Sequence, residues 1–322
     1  VKKELTSVEL CAGGGGQALG IEQAGFKHIA AIEIDHWACQ TLRINRNHEN
    51  LPIEARWNVV EQDLNTVNGR DYKGVSLIAG GVPCPPFSIA GKQLGPNDDR
   101  DLFPKALEIV RDAEPEAVML ENVKGLSQPR FKNYRAHVIA TLESMGYRTS
   151  WKLINASDFG LAQLRPRFIL VALKPEAMSR FRWPTPTGTR TSVGEALLPL
   201  MEQNGWPHAR EWAQRAQGIG PTLVGGSKKH GGPDLGPTRA REAWRKLHVK
   251  GSSIAEEAPS RNAPRDEMPR LTVQMGAKLQ GFPQDWEFAG GKTAAWRQVG
   301  NAFPPPVAKA IATAIKASIT TD

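Results

Sequence analysis

Cysteine is nearly missing from these 322 residues: three thiols, at positions 11, 39 and 84, make an odd number with no close pair. That count and spacing exclude a disulfide framework and a cysteine-based zinc site, and leave at least one thiol free. No metal is expected. Long apolar runs are missing too, and none approaches the roughly 20 residues of a bilayer-spanning helix. The chain is therefore expected to stay out of membranes. Its first residues, Val1-Lys2-Lys3-Glu4-Leu5, lack the apolar core and cleavage site of a secretory signal, so a cytoplasmic location is expected. Internal repeats are absent. An acidic excess is lacking as well: 41 basic against 33 acidic residues give a formal charge of +8. Such a balance suits a polyanionic partner, although cofactor phosphates or solubility account for it equally. The length fits a large α/β unit carrying a second, smaller domain.

What is present is organised around Gly80-Gly81-Val82-Pro83-Cys84-Pro85-Pro86-Phe87-Ser88. The apolar run before it, residues 75–79, reads as a buried parallel strand. In open α/β sheets the loops beyond the carboxyl ends of strands form the ligand crevice. Cys84 is therefore placed facing that crevice, on a loop stiffened by prolines on both sides. A nucleophile and a buried structural cysteine both satisfy this pattern.

Upstream, residues 6–10 read as a strand and are followed by Cys11-Ala12-Gly13-Gly14-Gly15-Gly16 and a helix over residues 17–25. Such a turn lets backbone approach a ligand closely, and the helix N-terminus offers oriented N–H donors. A second strand, residues 29–34, carries Glu33 at about the twenty-residue spacing at which an acid receives ribose hydroxyls. NAD, FAD and S-adenosylmethionine enzymes share that arrangement. A third short strand at residues 57–60 delivers Asp63 to the same edge, as a partner for an adenine amino group or as a helix cap.

Beyond Cys84, residues 92–100 form a polar loop with Lys92 and Arg100, a helix follows at 102–113, and a strand at 117–120 runs into Glu121-Asn122-Val123. A thiol and a carboxylate thus converge as candidate nucleophile and general acid, with a helix-capping role as the bland alternative for Glu121. Gln163, Arg165 and Arg167 alternate, so extended backbone puts all three on one face, for an anion or base contact or as an edge-strand surface. From 175 to 269 the helical period fades and a basic, Gly- and Pro-rich composition takes over, with Lys228, Lys229, Arg239, Arg241 and Arg245. Loops are expected to dominate there. Residues 307–317 read as a helix.

In this order the motifs resemble those of the C5-cytosine DNA methyltransferases, of bacterial or phage type, over nearly the whole chain. The resemblance implies a Rossmann-like α/β methyltransferase sheet with a smaller, loop-rich target-recognition domain, divided as 1–174 plus 292–322 and 175–291. It implies S-adenosylmethionine as cofactor, leaving as S-adenosylhomocysteine, held by Gly13, Gly15, Glu33, Asp63, Pro83 and Asn301. It implies Cys84, Glu121, Arg165 and Arg167 around a flipped-out cytosine, Arg165 near its O2. Ser88, Arg100, Asn122 and Gln163 are expected to contact substrate, and residues 222–245 to read the DNA sequence. Double-stranded DNA is the implied partner of a monomeric enzyme, in restriction-modification or as an orphan or phage modification enzyme. An RNA cytosine methyltransferase on the same scaffold is the alternative. Many members have Phe at Cys11 and Gln at Pro85, which changes the packing at the adenine edge and removes an amide beside the nucleophile.

Overall fold

The computed structural model describes residues 4–48, 57–83, 101–225 and 233–320. The chain divides into two compact units, one of residues 1–154, 166–184 and 307–322, the other of residues 155–165 and 185–306. Relative to the division expected from sequence, residues 155–165 and 292–306 lie in the second unit and 175–184 in the first.

The first unit is built from β1 (Thr6–Leu10), α1 (Gly16–Gln23), β2 (Lys27–Glu33), α2 (His36–Asn45), β3 (Val59–Glu61), β4 (Leu77–Gly80), α3 (Phe103–Ala113), β5 (Ala117–Val123), α4 (Lys132–Ser144), β6 (Arg148–Asn155), β7 (Pro166–Leu173) and α5 (Pro175–Arg180). The strands form one seven-stranded sheet in the order β3-β2-β1-β4-β5-β7-β6. Strands β3, β2, β1, β4 and β5 pair in parallel, whereas β7 runs antiparallel to β5. A parallel sheet is covered on both faces, which is why its central strands are continuous apolar runs. Val8, Leu10, Ile32, Ile78, Val118, Leu120 and Leu170 accordingly sit in one buried core with Phe103, Ile109 and Val110 of α3.

Register decides which residues meet at the edge. Leu10 pairs with Ile32 and with Gly80, and Gly80 pairs with Leu120. The next residue on each strand, Cys11, Glu33, Gly81 and Glu121, therefore emerges at the same carboxyl edge. Because β7 is antiparallel, its start is brought there too, with Val123 opposite Arg167.

Strands β1 and β2 also bury charge. His28 Nδ1 lies 2.9 Å from Glu22 Oε2, and His28 Nε2 lies 3.6 Å from Glu9 Oε2, with all three side chains almost wholly excluded from solvent. Glu22 Oε2 also accepts from the His28 amide (3.0 Å) and from Trp57 Nε1 (3.1 Å). Burial pulls the histidine pKa down, but its bonds to Glu22 and Glu9 outweigh that pull and leave it above the usual histidine value.

The second unit holds α6 (Val193–Glu202), α7 (Ala209–Arg215), α8 (Thr238–Arg245), α9 (Val273–Gln280) and α10 (Lys292–Asn301) around buried Trp206, Trp212, Trp244 and Trp296. As expected, most of the described chain between residues 175 and 269 lies outside regular elements, although α5, α6, α7 and α8 punctuate it. These helices are short, and Pro199 lies inside α6, so no long apolar period builds up. What starts α6 is local: Ser192 Oγ accepts from the Glu195 amide while Glu195 accepts from the Ser192 amide, a reciprocal cap. The chain returns to the first unit through α11 (Pro305–Ile319), whose Lys316 Nζ donates to the Ala24 carbonyl at 3.1 Å. Among the described residues no helix is long and apolar enough to cross a membrane.

Candidate active site

Cys84, Ser88, Arg100, Lys228 and Lys229 lie outside the described residues. The residues on either side of 84–100 are nevertheless fixed. The Pro83 carbonyl accepts from the Leu102 amide at 3.1 Å, and the Val82 carbonyl accepts from Asn122 Nδ2 at 2.8 Å. Asn122 Oδ1 in turn accepts from the Val123 amide at 2.9 Å, so the end of β5 is tied to the backbone two residues before Cys84. Asp101 is held by the Tyr134 hydroxyl at 2.8 Å and accepts from the Phe103 amide at 3.1 Å, which starts α3.

Glu121 is not a helix cap. It stands within β5, buried, with Oε1 2.7 Å from Arg167 Nε on β7. Burial pulls the Arg167 guanidinium below its usual pKa, and Glu121 opposes that pull. Gly81 keeps the carboxylate in place by being small: a Cβ there would stand 3.1 Å from Glu121 Oε2. A buried carboxylate and guanidinium at the mouth of the sheet, beside the backbone that delivers Cys84, can meet a polar ring and neutralise charge that develops on it.

The alternation of Gln163, Arg165 and Arg167 does hold, since all three are buried while Leu164 is exposed. Their partners differ. Sequence placed Arg165 at the pyrimidine oxygen, but its guanidinium donates to the Leu223 carbonyl and the Gly300 carbonyl, each at 2.8 Å, within the second unit. Gln163 donates to Gln280 Oε1 at 3.0 Å and accepts from the Leu223 amide at 2.8 Å. Arg167, not Arg165, is the guanidinium at Glu121. Alternation fixes the side of a strand on which a residue lies, not which partner it reaches.

Next to this pair the first unit contains a cleft of about 320 Å³ lined by Cys11, Ile32, Glu33, Ile34, Gln62, Asp63, Leu64, Asn65, Pro83 and Leu102. In the turn after Cys11, Gly13 and Gly15 have φ of 55° and 87°, a conformation that favours glycine, and nothing lies within 4 Å of where a Gly13 Cβ would be. Glu33 is preoriented: Oε2 accepts from the Gly13 amide (2.7 Å) and Oε1 from the Ile34 and Asp35 amides (2.8 Å each). Asp63 caps the short turn Leu64–Thr66 through the Asn65 amide at 2.9 Å, as the capping reading expects, and also lines the cleft. The apolar walls Ile34 and Leu102 and the polar side chains Gln62 and Asn65 were not singled out from sequence, because nothing in their spacing marks them. An open cradle without a Cβ, two carboxylates and apolar walls fit a nucleoside-bearing cofactor such as S-adenosylmethionine. Cys11 lines the same cleft with φ 56°, and its thiol pKa is pushed up to about 12, first by burial and then by Glu33.

A larger cleft of about 860 Å³ in the second unit is walled by Glu256, Glu257, Asp285 and Glu287. Those carboxylates repel phosphates, so size alone does not mark the DNA site. Of the expected DNA-reading residues on α8, Arg239 is exposed, Arg241 packs its methylenes at Gly251, and Arg245 pairs with Glu242 at 3.0 Å. Asn301 is exposed at the end of α10. Among the described residues no group of three His, Cys, Asp or Glu side chains is arranged to hold a metal.

Comparison with known proteins agrees with this geometry. The family model of C-5 cytosine-specific DNA methylases matches residues 5–317. The type II methyltransferase M.NaeI of Lentzea aerocolonigenes is 52% identical over 98% of this chain and 76% of its own length. M.NgoMIV of Neisseria gonorrhoeae, also a type II methyltransferase, is 48% identical over 96% of both chains. Among solved structures, a prophage-encoded DNA modification methyltransferase from E. coli superposes with a TM-score of 0.65 at 21% identity, covering 97% of this chain and 98% of its own. Spodoptera frugiperda DNMT2 gives 0.67 at 16% identity, covering 97% and 99%. These two share the fold. With a family match from end to end and relatives of about half identity along almost all of its length, the chain belongs to the C-5 cytosine-specific DNA methylases.

Proposed function

We infer that the protein methylates C5 of a cytosine flipped out of a specific duplex sequence, as the modification half of a restriction-modification pair. The observation that carries this reading is the buried Glu121–Arg167 pair, 2.7 Å apart beside the backbone leading to Cys84. Cytosine C5 is a poor nucleophile. Addition of the Cys84 thiolate to C6 forms an S–C6 bond and moves the ring electrons toward N3 and C5. Glu121 meets N3 with a proton and Arg167 balances the charge gathering over N3 and O2, which is the role sequence gave to Arg165. S-adenosylmethionine, when bound, supplies an electrophilic methyl group; Gly13, Gly15, Glu33, Asp63 and Pro83 would hold it, with Asn301 assigned to it by resemblance. Loss of the C5 proton to solvent then expels Cys84. None of these ring atoms is reachable in stacked duplex, so the base must leave the helix.

DNA carrying 5-fluorocytosine at the target tests this directly. Fluorine cannot leave as a proton does, so elimination stalls and a stable adduct accumulates on the Cys84 peptide. An adduct on Cys11 or Cys39 overturns the mechanism. The RNA reading is not favoured, because the relatives matching at 52% and 48% identity are both type II methyltransferases.

A further inference from the structure

Residues 222–225 are held more tightly than any loop needs to be. Along residues 162–164 the chain forms a short ladder with Gly220: the Gly220 amide donates to the Ala162 carbonyl at 2.9 Å and the Leu164 amide to the Gly220 carbonyl at 2.7 Å. Thr222 Oγ1 then donates to the Leu164 carbonyl at 2.5 Å. Leu223 is gripped at both backbone groups by side chains: its amide donates to Gln163 Oε1 and its carbonyl accepts from Arg165 Nη1, each at 2.8 Å. The Val224 carbonyl accepts from Trp296 Nε1 at 3.0 Å. At Gly225 the strap crosses α10 backbone against backbone. A Cβ on Gly225 would stand 2.5 Å from Asn301 Oδ1 and 2.8 Å from the Arg297 carbonyl, and one on Gly300 would collide with the Gly225 amide.

The same two side chains reach across to α9 and α10. Arg165 Nη2 donates to the Gly300 carbonyl at 2.8 Å, and Gln163 Nε2 donates to Gln280 Oε1 at 3.0 Å. Gln280 Nε2 itself donates to the Val299 carbonyl. Arg165 is 1% exposed and Gln163 0%. A guanidinium that spends its planar fork on two main-chain carbonyls from different segments fixes the distance between those segments.

We propose that Gln163 and Arg165 are positioning residues that set DNA sequence selection by clamping residues 222–225 onto α10. This rests on the reading that residues 222–245 face the DNA bases. A reading segment displaced by a fraction of an ångström loses its hydrogen bonds to base edges, while the cysteine chemistry proceeds once a base has been captured.

The variants Arg165→Lys, Gln163→Ala and Gly225→Ala test this, the last disturbing the strap without touching either clamp residue. The indole N–H resonance of Trp296, assigned with Trp296→Phe, reports the strap in the free protein. It shifts in all three variants, and an unchanged resonance in both clamp variants overturns the proposal without reference to DNA. With saturating duplex and cofactor, Arg165→Lys and Gln163→Ala keep kcat within about threefold, whereas Gly225→Ala, which also crowds Asn301, is read by its site preference. KM for DNA rises about tenfold, the loss of one good hydrogen bond. Bisulfite sequencing of a randomised plasmid library shows at least one relaxed position. A loss of kcat with KM and site preference unchanged in Arg165→Lys overturns the proposal in favour of a role in chemistry. If the Trp296 signal moves while all three variants keep the wild-type site, the reading of DNA by this segment fails, and the proposal with it. Should Arg165→Lys lose its thermal transition, Gln163→Ala and Gly225→Ala carry the same outcomes.

Discussion

Glu121 and the three cysteines show how far single residues carry the chemistry. Glu121→Gln keeps the size and a hydrogen bond but cannot deliver a proton to N3, so kcat is expected to fall about 100-fold or more with cofactor binding intact; rapid-quench methylation and a cofactor titration measure the two. Cys84→Ser is expected to bind duplex and cofactor without turnover, because a neutral alcohol is a far weaker nucleophile than a thiolate. The other two thiols are held protonated: burial, reinforced by carboxylates such as Glu33 and Glu61, pushes Cys11 and Cys39 up to about 12. Iodoacetamide at neutral pH should therefore leave the peptides of Cys11 and Cys39 unlabelled in the folded protein, as peptide mapping would show. Glu121 was legible in the sequence because it follows an apolar run of four, residues 117–120, and so has to emerge at the sheet edge. Which of Arg165 and Arg167 reaches Glu121 was not legible in the sequence. Both sit on one side of an extended run, and only the antiparallel register of Val123 with Arg167 brings the second to Glu121.

At the scale of elements, what could be read depended on how each one is stabilised. The central strands were legible because a doubly covered parallel sheet demands apolar runs. Helix α6 was not, since its start is set by the Ser192–Glu195 cap and its interior holds Pro199. The charge buried between β1, α1 and β2 was equally hidden: Glu9, Glu22 and His28 are far enough apart in sequence to look like unrelated surface residues. Their packing carries an energetic consequence. Two carboxylates face one imidazole, all three side chains almost wholly excluded from solvent, and Trp57 Nε1 shares Glu22. Removing the imidazole leaves both acids buried without their partner, a defect that costs about 3–5 kcal/mol. His28→Leu is thus expected to lower the unfolding free energy by that amount in urea, whereas Lys27→Ala next to it, an exposed pair with Glu4, changes it by less than about 1 kcal/mol. Equal losses in the two variants would mean that the buried cluster contributes nothing beyond an ordinary surface contact.

For the whole molecule, pH and salt separate stability from function. Cys11, Cys39, Tyr72 and Tyr147 all have raised pKa values, chiefly through burial. Between the unfolded thiol value near about 8.5 and the folded value, the native state holds protons that the unfolded chain has lost, so stability falls as pH rises. Melting temperature should begin to fall from about pH 6.5, where the unfolded chain loses the proton that buried His28 keeps, and drop further on the alkaline side, and Cys39→Ala should soften that second drop. Salt acts on the other partner. A net charge of +8 draws the chain to duplex DNA of any sequence, and each phosphate neutralised releases counterions, giving a log–log salt slope of about −0.9 per contact. The basic residues of α8 are not equivalent in this. Arg241 is committed to packing at Gly251, and Arg245 faces Glu242 three residues back, an exposed pair of little energetic worth that still offsets its charge. Among the described residues no acid pairs with Arg239, which is exposed on the first turn and is the α8 residue best placed to meet a phosphate. Arg239→Ala should weaken binding to cognate and scrambled duplex alike and reduce the slope by about 1. Arg241→Ala should instead lower the melting temperature before it changes DNA affinity, while Glu242→Ala, by freeing Arg245, should tighten non-specific binding. Fluorescence anisotropy of both duplexes across a salt series measures all three, and a slope unchanged in Arg239→Ala would move the phosphate contact off α8 altogether.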